Sequence, residues 1–171
     1  MKPTSRHVRV SRSARVQTLG DVEQASDVWM VLHGFGQLAA EFIAPFAALA
    51  GDGCAVIAPE ALNRFYKQKD GADSNASRPV GATWMTREDR DAEIADYVGY
   101  LDEVARQLVP GRAVTALGFS QGVATLMRWV TAGSTPLARV IVWAGEIPRE
   151  VELGNFRPRF PDRPLDLVIG S

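Results

Sequence analysis

The sequence contains 171 residues, of which 46% are hydrophobic and 23% are charged, proportions that are typical of a globular domain and argue against a disordered or membrane-spanning chain. With 19 basic and 20 acidic residues the net charge is -1, which argues against nucleic acid as a partner. We therefore expect a small-molecule partner and no membrane span. The single cysteine, Cys54, cannot form an internal disulfide and favours a cytoplasmic location.

The first 20 residues are rich in arginine and serine and contain no acidic side chain, a composition shared with transit peptides. Their apolar residues Val8, Val10, Val16 and Leu19, however, recur at mostly even spacing. Because alternate residues of a strand share one face, we predict a two-stranded ribbon over residues 1–20 at the edge of a sheet.

Short apolar runs alternate with helical patterns along the rest of the chain. The pattern predicts strands over 27–32, 54–58, 113–118, 139–144 and 165–169, and helices over 38–50, from Thr86 to Pro110, and from Ser120 to Gly133. Pro45 should bend the first helix, and Asp89 should cap the second as the acidic residue of a capping box. Residues 60–83 form the longest irregular stretch, and loops of this length are usually functional or mobile.

Strands that alternate with helices predict an α/β fold in which helices cover both faces of a mostly parallel central sheet. We expect residues 1–171 to form one such domain.

The pattern Gly118-Phe119-Ser120-Gln121-Gly122 lies between a predicted strand and a predicted helix. Glycines on both sides of a serine allow a tight turn that presents the hydroxyl at the edge of the sheet. At the start of a helix, free backbone N–H groups also face the charge that develops on a substrate carbonyl oxygen. Ser120 is therefore the predicted nucleophile, and the N–H of Gln121 is the first predicted oxyanion donor. A second donor is expected from the glycine-rich stretch 33–36.

The chain has only two histidines. Where a serine nucleophile lies on such a strand-turn-helix motif, the catalytic base follows it along the chain. His33 precedes Ser120, so it is predicted to be a structural residue beside the glycine-rich loop. His7 also precedes Ser120 and is not predicted to be the base. Two separated histidines without clustered cysteines or carboxylates also predict no metal site and no cofactor.

These motifs resemble the phospholipase/carboxylesterase family of α/β-hydrolases, which includes acyl-protein thioesterases. The resemblance rests on residues 32–36, 118–122, 81–89 and 140–145. It implies hydrolysis of a small-molecule carboxylic ester or thioester through an acyl-enzyme. It also implies that Ser120 is the nucleophile and that the backbone amides of Phe35 and Gln121 form the oxyanion hole.

The family continues after the strand over 165–169 with a loop that carries the catalytic aspartate, a helix and strand, and the catalytic histidine. This sequence ends at Ser171, so we expect a truncated domain that lacks its C-terminal strand and helix and is nearly inert by itself. Asp162 and Asp166 do not occupy the loop position, and Glu146 is the nearest alternative acid. A non-catalytic domain that binds an acyl ligand or a protein partner is the competing hypothesis.

Two weaker candidates belong to the long loop and its end. Trp84 is predicted either to line an acyl pocket or to pack in the core. Arg64, Tyr66 and Lys67 form a basic and aromatic cluster, which is interpreted as solvated surface in preference to a site for an anionic substrate. The sequence does not predict the oligomeric state.

Overall fold

The computed structural model describes residues 1–68, 75–151 and 164–169. The strands are β1 (Val16–Leu19), β2 (Asp27–Leu32), β3 (Cys54–Pro59), β4 (Asn63–Tyr66), β5 (Val80–Thr83), β6 (Val114–Phe119), β7 (Leu137–Trp143) and β8 (Leu165–Val168). The α-helices are α1 (Ala39–Ile43), α2 (Arg90–Leu108) and α3 (Gln121–Ala132), and short 3-10 turns cover Ala44–Ala48 and Asn75–Ser77.

Six strands form one sheet in the order β1-β3-β2-β6-β7-β8. All of its neighbouring strands are parallel except β1, which pairs antiparallel with β3. The mostly parallel sheet predicted from the sequence is therefore confirmed. In the centre of the sheet Leu32 of β2 pairs with Gly118 of β6, so the segments that follow these two strands leave the sheet side by side.

Helices cover both faces of the sheet, as predicted. Met30 and Leu32 point into a large core that α2 and α3 complete. Val31, the residue between them, points into a smaller core on the other face, where Phe42 of α1 packs. The alternation follows from the period of two in a strand, and it explains why β2 is apolar along most of its length: both of its faces are covered.

The predicted ribbon over residues 1–20 is wrong except for β1. Residues 1–15 contain no strand, and Val8 and Val10 remain 80% and 79% exposed. Val8 and Val10 alternate but are not buried. Without the burial of apolar side chains, even spacing alone does not specify a strand. Val16–Leu19 does form a strand because it pairs with β3.

The loop predicted over 60–83 contains more structure than expected. Within its described part, β4 and β5 pair antiparallel as a separate two-stranded sheet, with Phe65 opposite Gly81. Each strand is only four residues long, Asn-Arg-Phe-Tyr and Val-Gly-Ala-Thr, and neither has the apolar alternation from which a strand is recognised. Residues 69–74 of this stretch lie outside the described residues.

The helix boundaries differ from the prediction at two places. Pro45 does end α1 early, and the chain continues as a 3-10 turn over Ala44–Ala48. α2 begins at Arg90 rather than at Thr86, because Asp89 adopts a left-handed conformation with φ 52°, which Asp tolerates better than most residues. Asp89 forms no capping bond, and its carboxylate contacts the His7 ring at 2.7 Å.

Candidate active site

Ser120 lies in the sharp turn that joins β6 to α3. Its backbone has φ 52° and ψ -115°, a sparsely populated combination that costs of the order of 1–3 kcal/mol for a non-glycine residue. The Ser120 N–H donates to the Trp143 carbonyl over 3.0 Å, and the Ser120 carbonyl accepts the Val123 N–H over 3.0 Å. The side chain is partly exposed, and its hydroxyl bonds to no described residue. The turn thus presents, at the carboxyl end of the parallel sheet, a hydroxyl without a partner in the part of the chain that the structure describes.

The two glycines of the motif are required by close packing. A Cβ atom on Gly118 would lie 2.5 Å from the Gly122 carbonyl oxygen. A Cβ atom on Gly122 would collide with the Leu32 carbonyl oxygen and would lie 2.8 Å from that of His33. Only hydrogen side chains therefore let α3 start so near the ends of β2 and β6.

The loop after β2 lies directly against Ser120. A Cβ atom on Gly34 would be 3.2 Å from the Cβ atom of Ser120. The loop is a tight turn in which the Gly34 N–H donates to Gln37 Oε1 over 2.8 Å and Gly36 adopts φ 74°, a left-handed value that favours glycine. Within the described parts of the chain, neither the Phe35 N–H nor the Gln121 N–H donates a hydrogen bond. The two segments that meet at Ser120 thus each supply a backbone donor that has no acceptor among the described residues.

His33 is buried at the base of this loop, and both of its ring nitrogens contact backbone groups. Nδ1 lies 2.8 Å from the Gly34 carbonyl oxygen, and Nε2 accepts the Ala61 N–H over 3.0 Å. The pKa of His33 is lowered from its ordinary value, chiefly by burial, which the bond to Gly34 and the Glu60 carboxylate partly oppose. These contacts agree with the structural role predicted for His33.

Trp84 packs in the core beneath the loop and is 2% exposed. Its indole Nε1–H donates to the His33 carbonyl over 2.8 Å, and its ring centroid lies 5.1 Å from that of His33. This burial agrees with core packing, one of the two predicted roles, and the role in lining an acyl pocket stays a prediction.

Two polar side chains near the site were missed by the sequence reasoning. The Gln121 side chain contacts residues 83–85, although the sequence suggested only its backbone amide. Glu60 has a fully buried side chain that accepts from Arg64 Nε over 2.6 Å and contacts Arg15 at 3.7 Å. The sequence feature that could have indicated Glu60 is its position after a predicted strand, because ligands bind at the carboxyl ends of parallel strands.

Aromatic rings flank the loop on its exposed side. Phe35 is 63% exposed and stacks on Phe65 of β4, with the ring centroids 5.1 Å apart. Tyr66, the next residue of β4, is half exposed. Because Arg64 is paired with Glu60, the cluster of Arg64, Tyr66 and Lys67 does not offer three free groups to an anionic substrate.

None of the candidate acids bonds to Ser120 within the described residues. Asp166 lies in β8, as predicted, where it accepts from Arg139 Nε over 2.6 Å. Glu146 is exposed, and its neighbour Gly145 packs against the Ser120 carbonyl oxygen. Asp162 lies outside the described residues. No group of three His, Cys, Asp or Glu side chains suited to a metal ion occurs in residues 1–68, 75–151 or 164–169.

A family model for the alpha/beta hydrolase family matches residues 30–170. The chain belongs to the alpha/beta hydrolase family. No curated protein sequence matches it significantly. The match covers the last three residues of β2, the glycine-rich loop, the turn at Ser120 and β8, so it includes every segment of the candidate site. None of the helices in the described residues is long and apolar enough to span a bilayer.

Solved structures of other hydrolases share the fold of this family member. A phospholipase/carboxylesterase from Dyadobacter fermentans aligns with 96% of this chain and 91% of its own, at 19% identity and a TM-score of 0.61. Acyl-protein thioesterase 2 from Zea mays aligns with 91% of this chain and 75% of its own, at 16% identity and a TM-score of 0.61. These neighbours confirm the fold that the motif resemblance implied.

An esterase from Exiguobacterium antarcticum aligns over 77% of this chain at 18% identity, with a TM-score of 0.52. The chain spans only 41% of that esterase's length.

Proposed function

We propose that this chain is a serine hydrolase that cleaves carboxylic esters or thioesters through an acyl-enzyme on Ser120. The observation that carries the proposal is the strained turn at φ 52° beside Gly34, which holds a serine hydroxyl that bonds to none of the described residues. A strained, partly exposed serine between a strand and a helix is the arrangement expected of a nucleophile in this fold. Membership of the alpha/beta hydrolase family supports hydrolysis as the reaction.

The proposed reaction has two steps. Ser120 Oγ attacks the carbonyl carbon, the carbonyl oxygen gains negative charge, and the C–O or C–S bond to the leaving group breaks as the serine proton passes through a base to the departing alcohol or thiol. Water then attacks the acyl-enzyme, which releases the carboxylic acid and restores the serine. The Phe35 and Gln121 N–H groups would donate to the charged oxygen in both steps, and one such donor is typically worth about 10²- to 10³-fold in kcat.

The base is not assigned to either histidine of the chain. Both ring nitrogens of His33 contact backbone groups, and His7 contacts Asp89. Neither histidine forms a hydrogen bond to the Ser120 hydroxyl within the described residues, and the proposal concerns the nucleophile and the oxyanion donors.

The exposed ring of Phe35, supported by Phe65, favours an apolar acyl or alcohol group beside the nucleophile. The substrate is accordingly proposed to be a small-molecule ester or thioester. The cytoplasmic location stays a prediction from the sequence.

Active-site labelling tests the proposal. The full-length protein is treated with a fluorophosphonate probe, and the labelled residue is mapped by mass spectrometry. We expect labelling on Ser120 that is lost in Ser120→Ala and retained in Ser13→Ala, which changes an exposed serine of the N-terminal segment. Labelling of another residue, or none in the full-length protein, would refute the proposal and favour the non-catalytic binding domain.

A further inference from the structure

The side chain of Gln121 connects the turn at Ser120 to the end of β5. Its Nε2 donates to Thr83 Oγ1 over 2.8 Å and to the Met85 carbonyl over 3.1 Å. Its Oε1 accepts the Trp84 N–H over 3.2 Å. One side chain thus binds three consecutive residues, and both its Nε2 donor group and its Oε1 acceptor form hydrogen bonds.

The strand held by Gln121 in turn holds the loop that carries Phe35. The Ala82 carbonyl accepts the Gly36 N–H over 2.8 Å, and the Ala82 N–H donates to the Gln37 carbonyl over 3.3 Å. The approach is close, because a Cβ atom on Gly81 would lie 2.6 Å from the Gly36 carbonyl oxygen. β5 therefore fixes the loop on the C-terminal side of Phe35.

The N-terminal side of Phe35 is tied to the same segment. Trp84 Nε1 donates to the His33 carbonyl over 2.8 Å, and the backbone N–H of Trp84 is the group that Gln121 Oε1 accepts. Residues 82–84 thus contact the loop before and after Phe35, and Gln121 contacts residues 83–85. A continuous path of bonds thus joins the loop that carries the Phe35 amide to the Gln121 side chain.

We propose that the Gln121 side chain is a positioning group that sets where the Phe35 N–H lies relative to the Gln121 N–H. This inference rests on the proposed function, in which both amides donate to one oxyanion. Donors of this kind act only when they are held within about 0.5 Å of the productive geometry. The backbone amide and the side chain of Gln121 then have separate duties: the amide contacts the oxyanion, and the side chain aligns the other donor.

Replacement of the side chain alone separates these duties. Gln121→Met keeps the backbone N–H and most of the volume but removes every bond to residues 83–85. We expect kcat for a p-nitrophenyl ester to fall about 10- to 100-fold, with KM changed less than about threefold. A trifluoromethyl ketone forms a tetrahedral oxyanion adduct with serine, and the affinity for it should fall by the same factor as kcat. A purely structural change would not make the losses of kcat and of inhibitor affinity equal.

Two further variants complete the test. Thr83→Val removes the hydroxyl that accepts from Gln121 Nε2 with little change of shape, and its effect on kcat should be non-additive with that of Gln121→Met because both act on one network. Gln107→Met changes an exposed glutamine of α2 that contacts Glu103 and should leave kcat unchanged. If Gln121→Met fails to fold, kcat and the trifluoromethyl ketone affinity of Thr83→Val test the positioning role instead.

The outcomes distinguish this inference from the proposed function. A full-length wild-type protein without ester hydrolysis and without Ser120 labelling would remove the proposed function. An active wild type whose Gln121→Met and Thr83→Val variants keep the wild-type kcat and trifluoromethyl ketone affinity would remove the positioning role alone.

Discussion

Gly34 lies so near Ser120 that a Cβ atom on Gly34 would be 3.2 Å from the Cβ atom of Ser120 and 3.1 Å from both the Phe119 ring and Gln37 Oε1. At such distances the neighbours must move by a few tenths of an ångström. We expect Gly34→Ala to fold but to be labelled by the fluorophosphonate about tenfold more slowly, because small displacements of reacting groups have large effects on rate. Labelling at the wild-type rate would show that the contact does not constrain the nucleophile.

The steric requirement at the turn predicts opposite effects for two glycine-to-alanine changes. A Cβ atom on Gly122 would collide with the Leu32 backbone, whereas one on Gly99 in α2 would meet nothing within 4 Å. Gly122→Ala should lower the free energy of unfolding by about 3 kcal/mol or more. Gly99→Ala should raise it by about 0.5–1 kcal/mol, because alanine favours the helix. Urea denaturation measures both, and equal values for the two variants would contradict the packing described for α3.

The exposed ring of Phe35 predicts a change in substrate affinity without loss of the backbone donor. In Phe35→Ala the amide remains, but the apolar surface that stacks on Phe65 is lost. We expect KM for a hexanoate ester to rise about five- to tenfold, which corresponds to about 1 kcal/mol of apolar contact, with little change in kcat. Tyr66→Ala, at the half-exposed neighbour of Phe65 on β4, should leave KM unaltered; a similar rise in both variants would mean a general disturbance of β4.

The burial of His33 predicts how the free energy of unfolding depends on pH. Burial lowers its pKa below the ordinary value of 6.5, so at pH values below about 6.5 the unfolded chain binds a proton that the folded chain does not yet bind. The free energy of unfolding should therefore be largest above this pH and should decrease as the pH falls below it, by at most about 1.4 kcal/mol per pH unit, until the folded state is protonated as well.

Denaturation between pH 8 and pH 5 measures this effect. His33→Asn, in which the amide can still donate to the Gly34 carbonyl, should be less stable at pH 8 and should lose the decrease between pH 6.5 and pH 5. His7→Asn, at the only other histidine, is the control and should keep it. The interpretation is wrong if the decrease persists in His33→Asn.

Much of the framework is predictable from local sequence. The strands of the parallel sheet are recognisable because burial on both faces requires short, nearly continuous apolar runs such as 27–32. The turn at Ser120 is recognisable because only glycine fits at positions 118 and 122. For the same reason Gly133 marks the end of α3, since a Cβ atom there would lie 2.6 Å from the Trp129 carbonyl oxygen. In each case the signal lies in residues that are adjacent in the chain, although the backbone that excludes a side chain at Gly122 belongs to β2 and the loop after it.

Tertiary structure alone decided the partners of the polar side chains. Nothing in the local pattern indicates that Gln121 binds residues 83–85, that Glu60 is buried with Arg64, or that Phe35 stacks on Phe65. The paired strands β4 and β5 are also set by their contact with the loop and not by apolar alternation. Bonds between residues that are distant in sequence depend on how the elements pack, and a single sequence records the groups that can pair but not the pairs that form.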